Sequence, residues 1–405
     1  MDRRSVLSGI GVGLGGGFLP WSFGSAMART PVGYIRTNWS RDPFSLGSYS
    51  YIAKGSRRRD HREIERPVDG RVFFAGEAAF PHRNSTVHAA HESGLRTADF
   101  VLESEAERIG VVGAGMSGLT AAHKLSQNGR QVTVIEARDR IGGRVWTDDR
   151  LGSPLDLGAS WIHGVRKNPL TEISDQLGLE RVATDDSFVI RGRNGRLIDE
   201  RDAPDWLENV VTVQHDAGAD LSQLNLAAYV FPRDYGGKDV TFPGGYAGVF
   251  EALAGDYDVR LETAITAVQY DEAGVRLLDT TGGSEQFDAV VLTFPLGVLK
   301  AGGVDFQPPL PEDKQSAIQR LGMGTLDKVY LRFDEVFWDE DVTWITTPEN
   351  DLPEGQFSQW LNFYKYIREP IIMAFNGGPP ALDLSSLPDE DVLARAVQTL
   401  EIAYP

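Results

Sequence analysis

The sequence predicts a two-domain α/β protein, and three observations carry this prediction. The chain has 405 residues, enough for two or three domain-sized units with a large core. Hydrophobic residues make up 41% of it and charged residues 24%, as in globular rather than disordered proteins. The segment 108–136 has the pattern strand, glycine-rich turn, helix and strand, which is typical of a parallel sheet in a nucleotide-binding domain.

Residues 1–28 have the features of a twin-arginine export signal. Arg3 and Arg4 precede a glycine-rich apolar stretch over 10–23, and 26–28 is the small-residue cleavage pattern Ala-Met-Ala. A membrane anchor and a disordered tail are the alternatives, but the apolar stretch is shorter than the ~20 residues of a bilayer span. We therefore expect export to the periplasm or the extracellular space. No later segment is long and apolar enough to insert the mature chain into a membrane.

Charge and residue types exclude several classes of function. With 40 Lys and Arg against 58 Asp and Glu, the formal net charge is −18, so nucleic acid is not the expected partner. The same charge favours encounter with cationic ligands, although a halophilic or simply soluble protein has it too. The absence of cysteine excludes disulfides, thiolate metal sites and a cysteinyl-linked cofactor. The 7 histidines show no zinc-ligand spacing, so no metal site is expected.

The segment 108–136 carries a complete βαβ fingerprint for a dinucleotide. An apolar strand over 108–112 enters a GxGxxG turn, a helix is predicted over 119–128, and a second strand over 132–135 ends at an acidic residue. The first glycine permits the tight turn, the second lets a diphosphate approach the backbone, and the third lets helix and strand pack closely. The helix N-terminus stabilises phosphate, and the acidic residue accepts hydrogen bonds from ribose hydroxyls. The residues expected to bind the dinucleotide here are Gly113, Gly115, Met116, Ser117, Gly118 and Glu136.

A second phosphate-binding pattern follows at 137–144. Two adjacent glycines flanked by arginines form a place where backbone N–H groups and guanidinium groups can both meet phosphate. A solvated basic turn is the alternative interpretation. The residues expected to contact the cofactor here are Ala137, Arg138, Gly143 and Arg144.

At this point the chain resembles the flavin-dependent amine oxidases, which comprise polyamine oxidases, monoamine oxidases and flavin-dependent histone lysine demethylases. The two glycine motifs carry the resemblance together with the stretch 156–164, whose GASWIHG is especially like the polyamine oxidases. Motifs at 242–246, 293–300, 322–328 and 360–365 extend the resemblance nearly to the C-terminus. It implies a Rossmann-like FAD-binding domain and a second, α+β substrate domain with a mixed sheet and helices.

The resemblance also implies further contacts with FAD. Ile265 would lie where the family's backbone binds the adenine. Ser48 stands where monoamine oxidases attach FAD through cysteine, so the cofactor is expected to be noncovalent. The 156–164 stretch would contribute Gly158, Ala159, Ser160 and Trp161.

Motifs that come last in the family come first here, so the chain resembles a circularly permuted member. The motifs at 39–51, 71–77 and 85–90 precede the fingerprint, and a helix predicted from 87 to about 105 would join them to the strand at 108. The family's use of these motifs implies cofactor contacts by Gly76, Glu77, Thr86 and Val87. The predicted division is a signal peptide at 1–28, substrate-domain segments at 29–65, 167–241 and 303–405, and FAD-binding segments at 66–166 and 242–302.

Four residues are catalytic candidates through the resemblance. Lys328 matches the family's active-site lysine, which is thought to hold a water against the reactive flavin nitrogen and to help reoxidation by dioxygen; a surface lysine is the alternative. Tyr49 matches one wall of the family's substrate cage, and Thr86 matches the facing position. For Tyr49, a tyrosine of the structural core is the alternative interpretation. His163 resembles the polyamine oxidases' active-site histidine, and a neutral imidazole could accept a proton from a substrate ammonium. A buried structural histidine is the alternative.

The expected chemistry is oxidation of an amine C–N bond to an imine and then an aldehyde, with dioxygen reduced to hydrogen peroxide. A small cationic substrate is expected, first of all a polyamine or another extended amine. An L-amino-acid or monoamine oxidase of the same fold is an alternative, and Arg83 is available to face an amino-acid carboxylate. A noncatalytic FAD-binding protein is a further alternative, because the segment 168–241 is short for the family. The basic segment 54–62 is expected to be a solvated turn, and covering the cofactor phosphates is the alternative.

Overall fold

The computed structural model describes residues 29–228 and 235–405, so the predicted export signal at 1–28 lies outside the described residues. The strands are β1 (Gly33–Arg36), β2 (Tyr49–Tyr51), β3 (Val72–Phe74), β4 (Arg108–Val112), β5 (Gln131–Ile135), β6 (Thr147–Asp148), β7 (Leu155–Asp156), β8 (Trp161–Ile162), β9 (Val182–Ala183), β10 (Phe188–Ile190), β11 (Val240–Thr241), β12 (Asp258–Arg260), β13 (Ile265–Asp271), β14 (Gly274–Asp279), β15 (Ser284–Phe287), β16 (Ala289–Leu292), β17 (Asp305–Gln307), β18 (Gly322–Gly324), β19 (Leu326–Arg332), β20 (Trp344–Thr346), β21 (Gln359–Asn362) and β22 (Ile371–Gly377). The helices are α1 (Arg58–Glu65), α2 (Val87–Leu102), α3 (Met116–Gln127), α4 (Pro169–Leu177), α5 (Trp206–Glu208), α6 (His215–Ala217), α7 (Leu296–Lys300), α8 (Glu312–Arg320), α9 (Tyr364–Ile367), α10 (Pro379–Ser385) and α11 (Asp389–Ala403).

A five-stranded parallel sheet forms the centre of one half of the molecule. Its order is β12-β5-β4-β16-β3, with the fingerprint strand β4 in the middle. Ile109 and Val111 of β4 pack against helices α2 and α3, whereas Val112 faces the second sheet, β15-β14-β13-β17. Both faces are therefore covered, which is why β16 and β3 are apolar along their whole length and β4 is apolar after its first residue.

A six-stranded mixed sheet forms the centre of the other half. Its order is β1-β19-β22-β21-β20-β10, and it is antiparallel except for the pair of β10 and β20. Side chains alternate along β19: Val329 and Leu331 pack in a core with α10 and α11, while Tyr330 packs on the opposite face. Lys328 shares the face of Tyr330, and this places it on the side of the sheet that is turned toward the cofactor motifs.

The predicted fold class, an α/β nucleotide-binding unit with a second unit built on a mixed sheet, is confirmed. The strand at 108–112 and the helix starting at Val87 are also confirmed, and α3 begins at Met116, three residues earlier than expected. The turn expected at 54–62 is wrong, because α1 spans Arg58–Glu65 and buries Asp60 and His61, whereas the basic side chains of the segment are solvent-exposed as expected. None of the helices in the described part of the chain has the length and apolar character to cross a bilayer.

The division into six segments stays a prediction. Three elements from predicted substrate-domain segments lie with the nucleotide-binding half: β17 pairs with β13, and α1 and α8 pack against each other. Both helices contribute side chains to the core beneath β3 and β16.

The segment that precedes the fingerprint is built into both sheets. β1 is the edge strand next to β19, and β3 is the edge strand next to β16. At the far side of the mixed sheet, the guanidinium of Arg29 lies 4.0 Å from the ring centroid of Phe337, and the same ring lies 6.1 Å from that of Tyr404. The segments near 30 and near 404 therefore meet at one point of the surface, which is the geometry that a permuted chain requires.

A buried lysine closes the C-terminal end of α1. Nζ of Lys314 donates hydrogen bonds to the carbonyl oxygens of Glu63, Ile64 and Arg66, each at 2.7 Å, and it lies 4.5 Å from the ring centroid of Phe74. Carbonyl groups in the last turn of a helix have no intrahelical partner. Lys314 satisfies them and ties α8 to the end of α1.

Replacement of Lys314 by methionine is expected to lower the free energy of unfolding by about 1–3 kcal/mol, because buried carbonyls lose their donor. Burial lowers the pKa of Lys314 to about 7, so between pH 7 and about 10.4 the unfolded chain binds more protons here than the folded chain. Wild-type stability then rises with pH through that window, and the loss in the variant is larger at pH 9 than at pH 7. Urea unfolding at both pH values measures this.

Lys300 provides the matched control for that measurement. Its Nζ donates to the carbonyl oxygens of Ile318, Gln319 and Leu321 at 3.3, 2.7 and 2.8 Å, but its side chain is only half-buried. Lys300→Met is therefore expected to cost less than Lys314→Met. Equal losses in the two variants would contradict the role assigned to burial.

Candidate active site

One large cavity lies between the parallel sheet and the mixed sheet, with a volume of about 2200 Å³. The structure brings together in its wall every candidate site residue named above except Gly118 and Arg83. These residues are Tyr49, Gly76, Glu77, Thr86, Val87, Gly113, Gly115, Met116, Ser117, Glu136, Ala137, Arg138, Gly143, Arg144, Gly158, Ala159, Ser160, Trp161, His163, Ile265 and Lys328.

The fingerprint glycines shape the turn between β4 and α3. A Cβ atom on Gly118 would lie 1.9 Å from the carbonyl oxygen of Gly113, so this residue permits the close packing of helix and turn without lining the cavity. Gly113 has a φ of +104°, which L side chains rarely adopt. A Cβ on Gly115 would have its nearest neighbour 4.0 Å away, so the space before the α3 N-terminus is open. The first N–H groups of α3 are placed to bind a diphosphate there.

Glu136 stands at the end of β5 with its carboxylate buried beside the turn. One carboxylate oxygen accepts from the N–H of Ala114 at 2.7 Å, and the other accepts from the N–H of Arg138 at 2.9 Å. Each oxygen has a further lone pair, and that is what ribose hydroxyls would use. The two backbone contacts fix the carboxylate at the mouth of the turn.

The two arginines of the second motif already hold partners from the segment that precedes the fingerprint. The guanidinium of Arg138 donates to both carboxylate oxygens of Asp42 at 2.8 Å and to Oγ of Ser45 at 2.9 Å. Nη1 of Arg144 donates to the carbonyl of Ser48 at 2.8 Å and to the carboxylate of Glu77 at 3.0 Å. These arginines therefore join distant segments around the cavity as well as lining it.

The carboxylate of Glu77 accepts hydrogen bonds from three separate segments of the chain. Besides Arg144, it accepts from Oγ of Ser50 at 2.6 Å and from the N–H of Ser85 at 3.0 Å. Thr86, the next residue, begins α2: its Oγ accepts from the N–H of Ala89 at 3.1 Å. The N-terminus of this 16-residue helix thus faces the cavity at Val87 and stabilises negative charge there.

Lys328 lies at the junction of the two halves. Its Nζ donates to the carbonyl oxygens of Asp156 and Gly158, both at 2.6 Å, and to Oγ of Ser160 at 2.5 Å. Burial lowers the pKa of Lys328 to about 7, with the Asp156 carboxylate acting in the opposite direction. Burial raises the pKa of Asp156 to about 6. The surface lysine considered as an alternative is excluded, because the side chain is 4% exposed.

An aromatic wall runs from Lys328 into the substrate side of the cavity. Trp161 stacks on Trp344 with ring centroids 6.3 Å apart, and Phe375 lies 6.1 Å from both. Nζ of Lys328 is 5.8 Å from the ring of Trp161. The hydroxyl of Tyr49 donates to the carbonyl oxygen of His215, and this bond orients the Tyr49 ring in the wall. Flat apolar rings of this kind pack well against methylene chains and attract cations.

The donor groups around the cavity fit a flavin dinucleotide. Two helix N-termini, those of α2 and α3, face the same space, and Cβ atoms added at Gly115 or Gly143 would meet nothing closer than 3.5 Å. Glu136 is in place for the ribose, and Ile265 lines the same cavity. When bound, FAD accepts a hydride from a substrate carbon and passes the electrons to dioxygen.

The family model for flavin-containing amine oxidoreductases matches residues 19–102, 116–230 and 216–405. The chain belongs to this family. It is therefore an FAD-dependent enzyme that oxidises an amine, and dioxygen is the family's electron acceptor.

Individual relatives agree with the family. Polyamine oxidase 2 of Arabidopsis thaliana is 30% identical over 355 residues, covering 73% of this chain and 72% of the relative. Polyamine oxidase 3 of Oryza sativa subsp. japonica is 30% identical over 355 residues, with 73% of each chain covered. The cyclohexylamine oxidase from Brevibacterium oxydans IH-35A has the same fold, with a TM-score of 0.59 at 21% identity over 74% of this chain and 81% of that one.

We expect this amine oxidase to release intact FAD when it is precipitated with acid. Oγ of Ser48 is engaged with the backbone of Leu326, accepting from its N–H at 2.8 Å and donating to its carbonyl at 3.0 Å. The chain has no cysteine that could form a thioether to the flavin. Absorbance of the supernatant at the flavin bands, compared with a free-FAD standard carried through the same precipitation, measures this. Yellow colour in the pellet would contradict it.

Several residues of the amine oxidase site carried no sequence signal. Trp344, Phe375 and His215 line the cavity but stand in no motif used above. Asp239 also lines it, beside His163. An apolar strand predicts that some side chains face a core, but which of them face a cofactor depends on pairing between strands far apart in sequence.

Proposed function

We propose that the enzyme oxidises a polyamine or another extended, multiply charged amine. The observation that carries the proposal is the charge of the substrate-side wall, defined as the cavity-lining residues within 183–216 and 235–239. This wall has seven carboxylates and two basic side chains. The carboxylates are those of Asp185, Asp186, Glu200, Asp205, Glu208, Asp216 and Asp239, and the basic side chains are those of Arg201 and Lys238. Nζ of Lys365 lies 2.7 Å from Oδ2 of Asp185 and neutralises that carboxylate. The remaining carboxylates still outnumber the basic side chains, so the wall has a net negative charge. A chain of separated ammonium groups matches such a wall better than a single charge does.

The reactive end of the cavity supports the same proposal. Tyr49 and Thr86 both line it, so the cage has one aromatic side and one small side. Trp161, Trp344 and Phe375 supply apolar surface for the methylene segments between ammonium groups. The two relatives at 30% identity are named polyamine oxidases, which agrees with this substrate class.

The chain's own groups would prepare the amine for oxidation. An ammonium carbon does not give up a hydride readily, so one proton has to leave the substrate nitrogen. His163 lines the cavity next to the aromatic wall and can accept that proton. Nζ of Lys328 lies 5.8 Å from the ring of Trp161, the ring on which His163 stacks, and its positive charge would stabilise negative charge on a reduced cofactor bound there.

An amino-acid oxidase would require an arginine facing the substrate carboxylate. Arg83 does not line the cavity in the described part of the chain: it lies over the ring of Tyr235 at 4.0 Å and pairs with Glu92 at 3.6 Å. Arg166 does line the cavity and is the arginine on which this alternative depends.

Release of hydrogen peroxide on a panel of spermine, spermidine, tyramine, cyclohexylamine and L-amino acids tests the proposal. We expect the highest kcat/KM with spermine or spermidine, and a steeper fall with added salt for these than for tyramine, because screening weakens the attraction of a multiply charged substrate most. A preference for tyramine or for an amino acid would overturn the proposed substrate class. Peroxide from none of them would favour a noncatalytic FAD-binding protein.

We also propose that the enzyme is exported through the twin-arginine pathway, on the basis of the residue pattern at 1–28. In a bacterial host with a functional pathway, wild-type protein is expected in the periplasmic fraction. Replacement of Arg3 and Arg4 by lysine is expected to leave the protein in the cytosol. Equal distribution of both forms would overturn the proposal.

A further inference from the structure

His163 and Asp239 face each other across a two-residue antiparallel ladder. β8 pairs with β11 through Ile162 with Val240 and Trp161 with Thr241, so the next residues along each strand also stand opposite. Nδ1 of His163 lies 2.8 Å from Oδ2 of Asp239. The other carboxylate oxygen, Oδ1, accepts from the N–H of Gly164 at 2.8 Å. The backbone thus fixes the carboxylate, and the carboxylate fixes the ring.

This contact determines the tautomer of the imidazole. A carboxylate only accepts hydrogen bonds, so the shared proton sits on Nδ1 of His163. Nε2 is then left with a lone pair and can accept a proton. The ring stacks on Trp161 with centroids 6.4 Å apart, and both His163 and Asp239 line the cavity.

Two other imidazoles line the described part of the cavity, and neither is equipped in this way. Nδ1 of His215 contacts the amide oxygen of Gln359 at 2.9 Å, and burial lowers the pKa of His215 to about 4. Burial, together with the nearby His163 and Arg83, lowers the pKa of His88 to about 3. Both rings therefore stay neutral at neutral pH. His163 is the cavity imidazole with a carboxylate behind it to stabilise a positive charge.

We propose that Asp239 is a positioning residue that holds His163 in the Nδ1–H tautomer, so that Nε2 accepts a proton from the substrate ammonium before oxidation. One N–H bond of the ammonium breaks, one N–H bond forms at Nε2, and the positive charge passes from the substrate to an imidazolium beside the Asp239 carboxylate. No electrons change hands in this step. The inference rests on the proposed oxidation of a cationic amine at this site.

Asp239→Asn separates tautomer control from packing. The N–H of Gly164 can only donate, so it retains the single amide oxygen of the new side chain. The amide NH₂ group then faces Nδ1 of His163, which has to accept, and the ring proton moves to Nε2. Shape and burial are conserved while the proton acceptor becomes a donor. In serine proteases the corresponding exchange at the histidine's carboxylate partner lowers kcat by about 10⁴ through the same change of tautomer.

Steady-state kinetics of the holoenzyme with spermine, from pH 6 to pH 10, provide the first measurement. For Asp239→Asn we expect kcat/KM at pH 7 to fall by about 10²–10⁴, the usual contribution of a general base. The loss shrinks as pH approaches about 10.4, where an alkyl amine reaches the enzyme without its extra proton and needs no base. A loss that is the same at every pH would show a merely structural role and overturn the proposal.

The charged and titratable groups that line the cavity beside the pair are Arg166, Tyr235, Lys238 and His88, and their contribution to the pH dependence has to be separated from the proton transfer to His163. His163→Gln and the double variant with Asp239→Asn do this. If Asp239 acts through His163, the double variant loses no more than His163→Gln alone. Additive losses would overturn the proposal.

Asp205→Asn is the charge control, because it removes one carboxylate from the substrate-side wall without a contact to His163. We expect it to raise KM and to leave the pH dependence of kcat/KM unchanged. The same pH-dependent loss as in Asp239→Asn would overturn the proposal, since bulk charge would then explain both.

A readout independent of turnover distinguishes this inference from the proposed function. ¹⁵N NMR of histidine-labelled holoenzyme, with His163 assigned from the spectrum of His163→Gln, should show a protonated Nδ1 in the wild type and a protonated Nε2 in Asp239→Asn. An Nε2–H tautomer in the wild type would overturn the inference even in an active enzyme. The expected tautomers in an enzyme that oxidises none of the cationic amines would instead refute the proposed function and, with it, the catalytic use of the proton acceptor.

Discussion

Replacing Lys328 with methionine is expected to slow reoxidation of the reduced enzyme by dioxygen about 10²–10³-fold, which corresponds to ~2.7–4 kcal/mol of lost electrostatic stabilisation. Lys328 places a buried charge at the reacting end of the cavity, and methionine keeps the apolar stem without that charge. FAD content is expected to stay near one per chain, since neither the α3 turn nor Glu136 is altered. Stopped-flow mixing of reduced enzyme with dioxygen measures the rate, and absorbance after precipitation measures the FAD.

The effect of Lys328→Met should also depend on pH. Because burial lowers the pKa of Lys328 to about 7, the wild-type ammonium is present at pH 6 and is largely lost by pH 9. The advantage of wild type over variant is therefore expected to be full near pH 6 and to shrink as pH rises through 7. A ratio that does not change between pH 6 and pH 9 would mean that the ammonium persists or that its charge is not what matters.

Ser160→Ala is the matched control for Lys328. It removes one of the three acceptors of Nζ and leaves the carbonyl oxygens of Asp156 and Gly158 in place. We expect reoxidation to change less than tenfold in this variant. A loss as large as that of Lys328→Met would show that the position of the 158–161 backbone, rather than the charge, sets the rate.

The parts of the site that could be predicted from the sequence are the local ones. β4, the α3 turn and β5 are contiguous, so the glycine spacing and the acidic residue at 136 determine the geometry without help from the rest of the chain. The start of α2 was predictable for the same reason, because Thr86 caps its own helix. A few neighbouring side chains determine where a helix begins and which residues form its first turn.

Contacts between distant segments could not be predicted. Arg138 was expected to bind phosphate, but its guanidinium pairs with Asp42 and so links two distant segments. The residues next to Arg138 and Asp42 in the sequence do not predict this pair. The burial of Lys314 could not be predicted either. Its neighbours in sequence form a polar helix, yet its side chain is 1% exposed because α8 packs on the end of α1. Partners of this kind depend on tertiary packing, which short-range patterns do not encode.

Removal of residues 29–107 is expected to abolish FAD binding, and moving the same segment to the other end of the chain is expected to restore it. The deletion takes β1 from beside β19, β3 from beside β16, and α2 from the face of β4. It also removes Glu77 and Thr86 from the cavity wall. The transposed protein would run from 108 to 405, through a short glycine-serine linker, to 29–107. FAD content and the unfolding midpoint of the three proteins are the measurements.

The linker can be short because the two joined segments already meet at one side chain. Arg29 lies 4.0 Å from the centroid of Phe337, and Tyr404 packs against the same ring at 6.1 Å. Strand pairing and core packing depend on which surfaces touch, and closing a loop at a new place changes the free energy slowly, by ~0.6 kcal/mol for each doubling of loop length. We therefore infer that the family's order of segments was changed while their packing was kept. A transposed chain without FAD, beside a truncated chain that binds it, would show the reverse: that residues 29–107 are an appendage, and that Tyr49, Glu77 and Thr86 have no part in the flavin site.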